Sequence, residues 1–372
     1  MHEIRPLTGL RGIAAMTVFL AHMRATLMVH GFHFELPESV VRVFLSGGRQ
    51  VDIFFVLSGF ILSMNYRAWF SQKLHFGAYA TFLRRRIARI YPLHVVMLLF
   101  TIAFVVAAAA TGATSTYGLE RFQNDDLPAN FLMMQAWGFF FQDSAYWNPP
   151  AWSISIEFLA YLVFPLFVWL IARGNRLNSW IPVALGVAIG FGLNYLTPWG
   201  IAGFGGIARG GSEFLLGCVL INLYGSRTAA WLQTNVGSLA AAGLLLLCYL
   251  LTPDTSFAVA VCAAPLLLTL ARNNVVSRVI GCRPIFFLGK ISYSIYLGHF
   301  LLSSIAYRLV SATWMKAGAI QTSIGVIVFV GFVLGVSTCL YYLVERPGRQ
   351  LLGGRRRTPA ASRVVPTEIP LS

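Results

Sequence analysis

LTGLRGIAAMTVFLAHM, residues 7–23, carries two ionisable side chains, Arg11 and His22, in a run that is otherwise apolar or small. At 100° per residue their spacing returns both to nearly the same helix face, about 20° apart, and a rise of ~1.5 Å per residue sets them roughly 16 Å apart along the axis. With Arg11 at one membrane surface, His22 reaches the middle of a ~30 Å hydrocarbon layer. Ionisable groups at that depth are costly and serve a pathway, a relay or a reaction. An imidazole satisfied by a neighbouring carbonyl would also survive there. The run lacks the small-residue cleavage site of a signal peptide and continues into charged, His-containing sequence, so it reads as a retained helix.

The rest of the chain agrees with that first span. Of 372 residues, 57% are hydrophobic and 11% charged, too little polar surface to cover a water-soluble globule of this size. The expected fold is all-α, a polytopic membrane protein of about ten transmembrane helices, at about 10–30, 50–66, 90–111, 151–172, 180–196, 207–225, 232–251, 255–271, 285–311 and 318–344. An eleventh apolar stretch, 127–142, is flanked by Pro128 and by Pro149 and Pro150, and counting it as a crossing would reverse every later loop. With ten spans, 21 of the 28 lysines and arginines fall on the side that holds both ends. The positive-inside rule therefore places both termini in the cytoplasm and leaves 127–142 at the outer face or dipping into it. The net charge of +15 is then mostly a topology signal, and nucleic-acid binding is an unneeded reading of it. Residues 1–348 form the membrane domain and 349–372 a disordered basic cytoplasmic tail, whose Arg355–Arg357 run serves as anchoring rather than as a lipid-binding site. The five cysteines show neither metal-ligand spacing nor a disulfide framework, and no metal site is expected.

Four further segments place polar groups inside or beside spans. In FLRRRIARIYPLH (82–94), Arg85 and Arg89 share a helix face and Arg86 lies one turn before Arg89. Three crowded guanidiniums suit a polyanion such as phosphate, although a cytoplasmic loop beside a span is also where arginines ordinarily belong. In WSISIEFLAYLVFPL (152–166), Ser153 and Glu157 are one turn apart, with Tyr161 a turn further in; a carboxylate there serves proton transfer or interhelical packing. In GKISYSIYLGHFLL (289–302), Ser292, Tyr296 and His299 form one stripe, with His299 at a depth comparable to that of His22. The two histidines would face one cavity or stand as separate packing residues. In GGRQVDIFFVLSGFIL (47–62), Asp52 marks the outer end of the second span and pairs with Arg49 or another outer cation, while Ser58 and Gly59 offer a small surface for helix contact. Glu345 with Arg346 and Pro347 reads as a helix stop with a local ion pair.

Taken in order, RPLTGLRGIAAMTVFLAH, VDIFFVLSGF, RRRIARIYP, WSISIEF, ISYSIYLGH and the closing VERP resemble acyltransferase family 3, the integral-membrane O-acyltransferases that modify sugars, polysaccharides and some other hydroxyl acceptors. The resemblance implies an acyl-CoA donor, acetyl-CoA by the commonest practice of the family, arriving from the cytoplasm as a substrate rather than a resident cofactor. It also implies a carbohydrate or glycolipid acceptor on or reaching toward the outer side of the bilayer. By position, the family's first-span Arg and His fall on Arg11 and His22, its basic pair on Arg86 and Arg89, its acidic motif on Ser153 and Glu157, and its late histidine on His299. Gly298 and His94 depart from the family pattern and are expected to reshape the pocket. Some relatives carry a fused extracytoplasmic esterase-like domain, so a two-step hand-off here would need a separate partner or other polysaccharide-synthesis proteins.

These readings combine into one expected mechanism. Arg86 and Arg89, with Arg85, hold the CoA phosphates; His22 is the general base; Glu157 orients the acceptor or relays its proton; His299 and Tyr296 shape the site or stabilise the oxyanion. The competing classes are a multi-pass transporter or flippase of a glycolipid or acylated sugar, and an inert scaffold.

Overall fold

The computed structural model describes residues 4–29, 37–44, 47–111, 127–138, 147–173, 180–196, 203–252, 257–311 and 319–354. Regular structure among them is entirely helical: α1 Arg5–Val29, α2 Glu38–Phe44, α3 Gly47–Phe70, α4 Phe76–Ala110, α5 Leu127–Phe131, α6 Ala151–Arg173, α7 Trp180–Leu196, α8 Gly203–Leu220, α9 Asn235–Leu251, α10 Ala258–Leu270, α11 Val275–Ile280, α12 Arg283–Ser311, α13 Ala319–Leu340 and α14 Arg346–Leu352. The ten expected spans each coincide with one of the longer helices. Five of those, α1, α4, α6, α12 and the continuous α13–α14 unit, are long and apolar enough to cross a bilayer. Helix α3 is 24 residues long but carries Arg49, Asp52 and Arg67, and α10, at 13 residues, rises only ~20 Å. The chain is a multi-pass membrane protein, with apolar side chains such as Leu99, Val106, Leu185, Leu247 and Ile327 exposed on its outer faces.

Close helix contacts are made where glycine removes the side chain. A Cβ on Gly12 would lie 2.4 Å from Gly289 N, and one on Gly289 would lie 2.0 Å from Thr8 O. Without aqueous surface to bury, membrane helices associate through such backbone proximity and van der Waals packing. The α1–α12 contact has a consequence for register. The two helices run parallel, and His22 lies ten residues beyond Gly12 as His299 lies ten beyond Gly289. The same device joins α3 to α8: a Cβ on Gly59 would meet Phe214 O, and one on Gly217 would meet Val56 O, each at 2.0 Å.

Segment 127–142 is described as far as 138 and does not cross. Its helix α5 has five residues, ~7.5 Å long, and the following turn is tied to the start of α6: Gln135 Nε2 donates to Ala151 O at 3.0 Å and Trp137 Nε1 to Ser155 O at 3.0 Å. Near the end of the chain, Glu345 does not stop the helix. A π-helical turn, Tyr341–Glu345, carries the chain into α14, and Glu345 pairs with Arg349, one turn on, rather than with Arg346; Ser294 Oγ also donates to it at 2.9 Å. Regular structure thus extends past 348 to Leu352, while 355–372, with the Arg355–Arg357 run, lie outside the described residues.

Candidate functional site

Helices α1, α3, α4, α6 and α12 line a partly open pocket. At one end stand Arg11, Arg86 and Arg89; at the other, Val51, Phe54, Ser153, Ile154 and Tyr296; Ser58 and Glu157 lie between. Along α3 the lining runs from Val51 to Leu62, roughly 16 Å of helix. Three guanidiniums and one carboxylate make this void formally cationic.

Most of its polar groups are held by a neighbour in another helix or one turn away. Arg11 Nη2 donates to Gly289 O at 3.3 Å, and Arg86 Nη2 donates to Tyr66 OH at 3.0 Å with its guanidinium over the Tyr66 ring. Ser58 Oγ and Tyr161 OH each donate to Glu157 Oε1 at 2.6 Å. Both bonds fall on the same oxygen, so Oε2 remains the acceptor for anything bound in the pocket. Ser153 Oγ donates to Pro150 O at 3.2 Å, which leaves Tyr296 OH to donate to Ser153 Oγ at 2.7 Å.

Behind Tyr296, outside the pocket lining, the two histidines meet. The His299 ring is 5.9 Å from that of Tyr296, and the His22 ring is 4.8 Å from that of His299. His22 Nδ1 lies 2.9 Å from Val18 O and His299 Nδ1 lies 2.6 Å from Tyr296 O. A carbonyl oxygen can only accept, so each Nδ1 carries the proton and each Nε2 holds the lone pair. His299 Nε2 is buried without a hydrogen-bond partner among the described residues.

Of the residues expected from sequence, the structure gathers Arg11, Arg86, Arg89, Ser153, Glu157 and Tyr296 around one void and sets His299 and His22 one side-chain layer further on. Two stand apart from it. Arg85 places its guanidinium 5.3 Å from the centre of the Trp69 ring and does not line the pocket. Asp52 pairs with Arg209 rather than Arg49: Nε and Nη2 approach Oδ1 at 2.8 and 2.6 Å, with Glu213 buried beside them. Arg49 instead donates to the carbonyls of Thr252, Tyr249 and Arg42. The two departures from the family pattern also lie away from the pocket. Buried His94 bonds Asn130 O through Nε2 at 2.6 Å, and Gly298 faces Leu302 and Leu340. Arg209 and Tyr66 were not anticipated. Arg209 had a signal in the sequence, an Arg and a Glu four apart within an apolar helix; Tyr66 had none. Among the described residues no three His, Cys, Asp or Glu side chains gather as metal ligands.

Comparison with known proteins gives the family. A family model described as an acyltransferase domain matches residues 5–343. The chain is 30% identical over 397 aligned positions to "Acyltransferase MdmB" of Streptomyces mycarofaciens, covering 98% of this chain and 96% of that protein. It is 25% identical over 326 positions to "Putative peptidoglycan O-acetyltransferase YrhL" of Bacillus subtilis (strain 168), covering 79% of this chain and 48% of that one. No solved structure matches it. The match along almost the whole length shows that this chain belongs to acyltransferase family 3 and is a membrane-bound acyltransferase.

Proposed function

We propose that this chain moves an acyl group, acetyl first, from cytoplasmic acyl-CoA to a hydroxyl of a carbohydrate or glycolipid that approaches from the outer side of a bacterial inner membrane. In this reading all ten long helices span, both termini are cytoplasmic, and the arginine end of the pocket faces inward. Arg11, Arg86 and Arg89 hold the phosphates of the donor, and the pantetheine arm follows α3 toward Tyr296. His22 Nε2 takes the proton of the acceptor hydroxyl as its oxygen attacks the thioester carbonyl. The C–S bond breaks, and the CoA thiolate leaves with the proton that the imidazole took up. Glu157 Oε2 accepts a hydrogen bond from the acceptor and orients it, while Tyr296 and His299 shape the end of the site against which the thioester is placed.

The observation that carries the reading is the paired imidazoles. Their Nδ1 atoms lie on backbone carbonyls, so in the neutral rings both keep Nε2 as the basic atom, one side-chain layer beyond the end of a cavity whose opposite end is cationic. The test uses inverted membrane vesicles bearing the chain, labelled acetyl-CoA added at the exposed cytoplasmic face, and detection of free CoA together with O-acetylated membrane glycan. Thioester consumption matched by labelled ester is expected. The His22→Ala variant should lose ~10²–10⁴-fold in rate while inserting normally. Near-normal turnover in that variant refutes the base assignment, and glycolipid movement without thioester consumption refutes acyl transfer.

A further inference from the structure

The end of the pocket farthest from the arginines is nearly all apolar. Val51, Phe54, Phe55 and Ile154 form its wall, and its two hydroxyl protons are already placed, that of Tyr296 on Ser153 Oγ and that of Ser153 on Pro150 O. The Phe54 ring lies 5.5 Å from the Tyr296 ring and closes the gap between α3 and α12. The wall behind it is fixed. Phe55 is wedged between Trp152, 6.1 Å away, and Gly210, where even an added Cβ would lie 2.7 Å from its ring. Beyond Phe55 and Trp152 comes the fully buried Asp52–Arg209 pair, with the guanidinium 5.5 Å from the centre of the Trp152 ring. Helix α3 cannot draw back either, because Gly59 and Gly217 already bring it against the backbone of α8.

We infer that Phe54 is the specificity-determining residue that limits the length of the transferred acyl group, with Val51 and Phe55 as its rigid backing. This rests on the proposed function: a donor anchored by its phosphates at the arginines presents its thioester near Ser153 and Tyr296, and the acyl tail then points at Phe54. A short tail fits against the apolar wall. A longer one must displace the Phe54 ring from its place against Tyr296, and apolar pockets discriminate by ~10–200-fold per methylene.

The experiment measures free CoA released in the same membrane vesicles from acetyl-, propionyl-, butyryl-, hexanoyl- and octanoyl-CoA, each over a range of concentrations. The intact chain should show kcat/KM falling steeply beyond the shortest donors. Phe54→Ala should raise the ratio of butyryl to acetyl kcat/KM by about 10-fold or more, and Phe54→Leu, which keeps an apolar contact with the neighbouring helices, should raise it by less. Val51→Phe should move the profile the other way and reject propionyl-CoA. By contrast, Arg89→Ala should weaken every donor alike and leave the profile in place, since it acts on the phosphates common to all. An unchanged chain-length profile in both Phe54 variants, with the intact chain active, overturns the assignment and leaves acyl transfer standing. Absence of CoA release from every donor by the intact chain overturns the proposed function and the assignment with it.

Discussion

Where α3 and α8 meet, Arg209 is held between Asp52 and the carbonyl of Gly48, with Glu213 packed beside it and all three side chains buried. At the other end of α3, Arg11, Arg86 and Arg89 share a pocket with a single carboxylate, Glu157, that already receives two hydroxyl donors. Both places put arginine inside an apolar bundle, where an uncompensated charge is expensive. The first is compensated from within the chain. The second keeps excess positive charge around an open volume, the arrangement expected where the compensating anion is a ligand. In the proposed function the closed cluster holds these helices together and the open one receives the donor phosphates.

The sharpest way to break this contrast is to strand the closed cluster. Arg209→Ala removes the cation that pairs with Asp52 and leaves two buried acids, Asp52 and Glu213, side by side, so it should cost ~3–5 kcal/mol of stability, read as a lowered unfolding midpoint in detergent. Adding Asp52→Asn should restore part of the loss, because the stranded acid goes with its partner. If the double variant is as unstable as the sum of its parts, the pair is not the source of the stability. The open cluster should respond in substrate affinity instead. Arg89→Ala and Arg86→Ala should each raise the apparent KM for acetyl-CoA by ~10–100-fold, since charge-assisted hydrogen bonds contribute about 1.5–3 kcal/mol each. An apparent KM that does not move would remove the phosphate role from this end of the pocket.

The same contrast marks what could be read from sequence. Helices were legible because apolar runs of sufficient length have few alternatives in a bilayer, and Arg11, Glu157 and Tyr296 stood out because polar groups are rare there. What brings His22 beside His299 was not legible. That meeting depends on contact between Gly12 and Gly289, and a glycine in a membrane helix does not announce which partner it touches. Asp52 was recognised as a paired acid, but its partner lies 157 positions away on α8, while the nearer Arg49 is turned toward carbonyls of another helix end. Sequence spacing locates groups along an element. Which elements meet is decided by small residues and by the surrounding packing.

The smallest expected effect sharpens the comparison most, because the geometry is matched. On α2, Arg42 places Nε and Nη2 on Glu38 Oε1 at 3.0 and 2.5 Å, the same two nitrogens on one carboxylate oxygen that Arg209 presents to Asp52. The pairs differ in surroundings: the side chains are 47% and 76% exposed for Arg42 and Glu38, against 8% and 0% for Arg209 and Asp52. In water both the attraction and the cost of separating the charges are screened, and an exposed pair one turn apart contributes only about 0.3–0.5 kcal/mol. Glu38 also sits in the first turn of its helix, where a negative charge adds a similarly small amount. Glu38→Ala should therefore shift the unfolding midpoint barely above error, and added salt should erase the shift. A loss comparable to that of Arg209→Ala would mean that contact geometry, rather than burial, sets the strength of these pairs, and the distinction between closed and open arginine clusters would lose its physical basis.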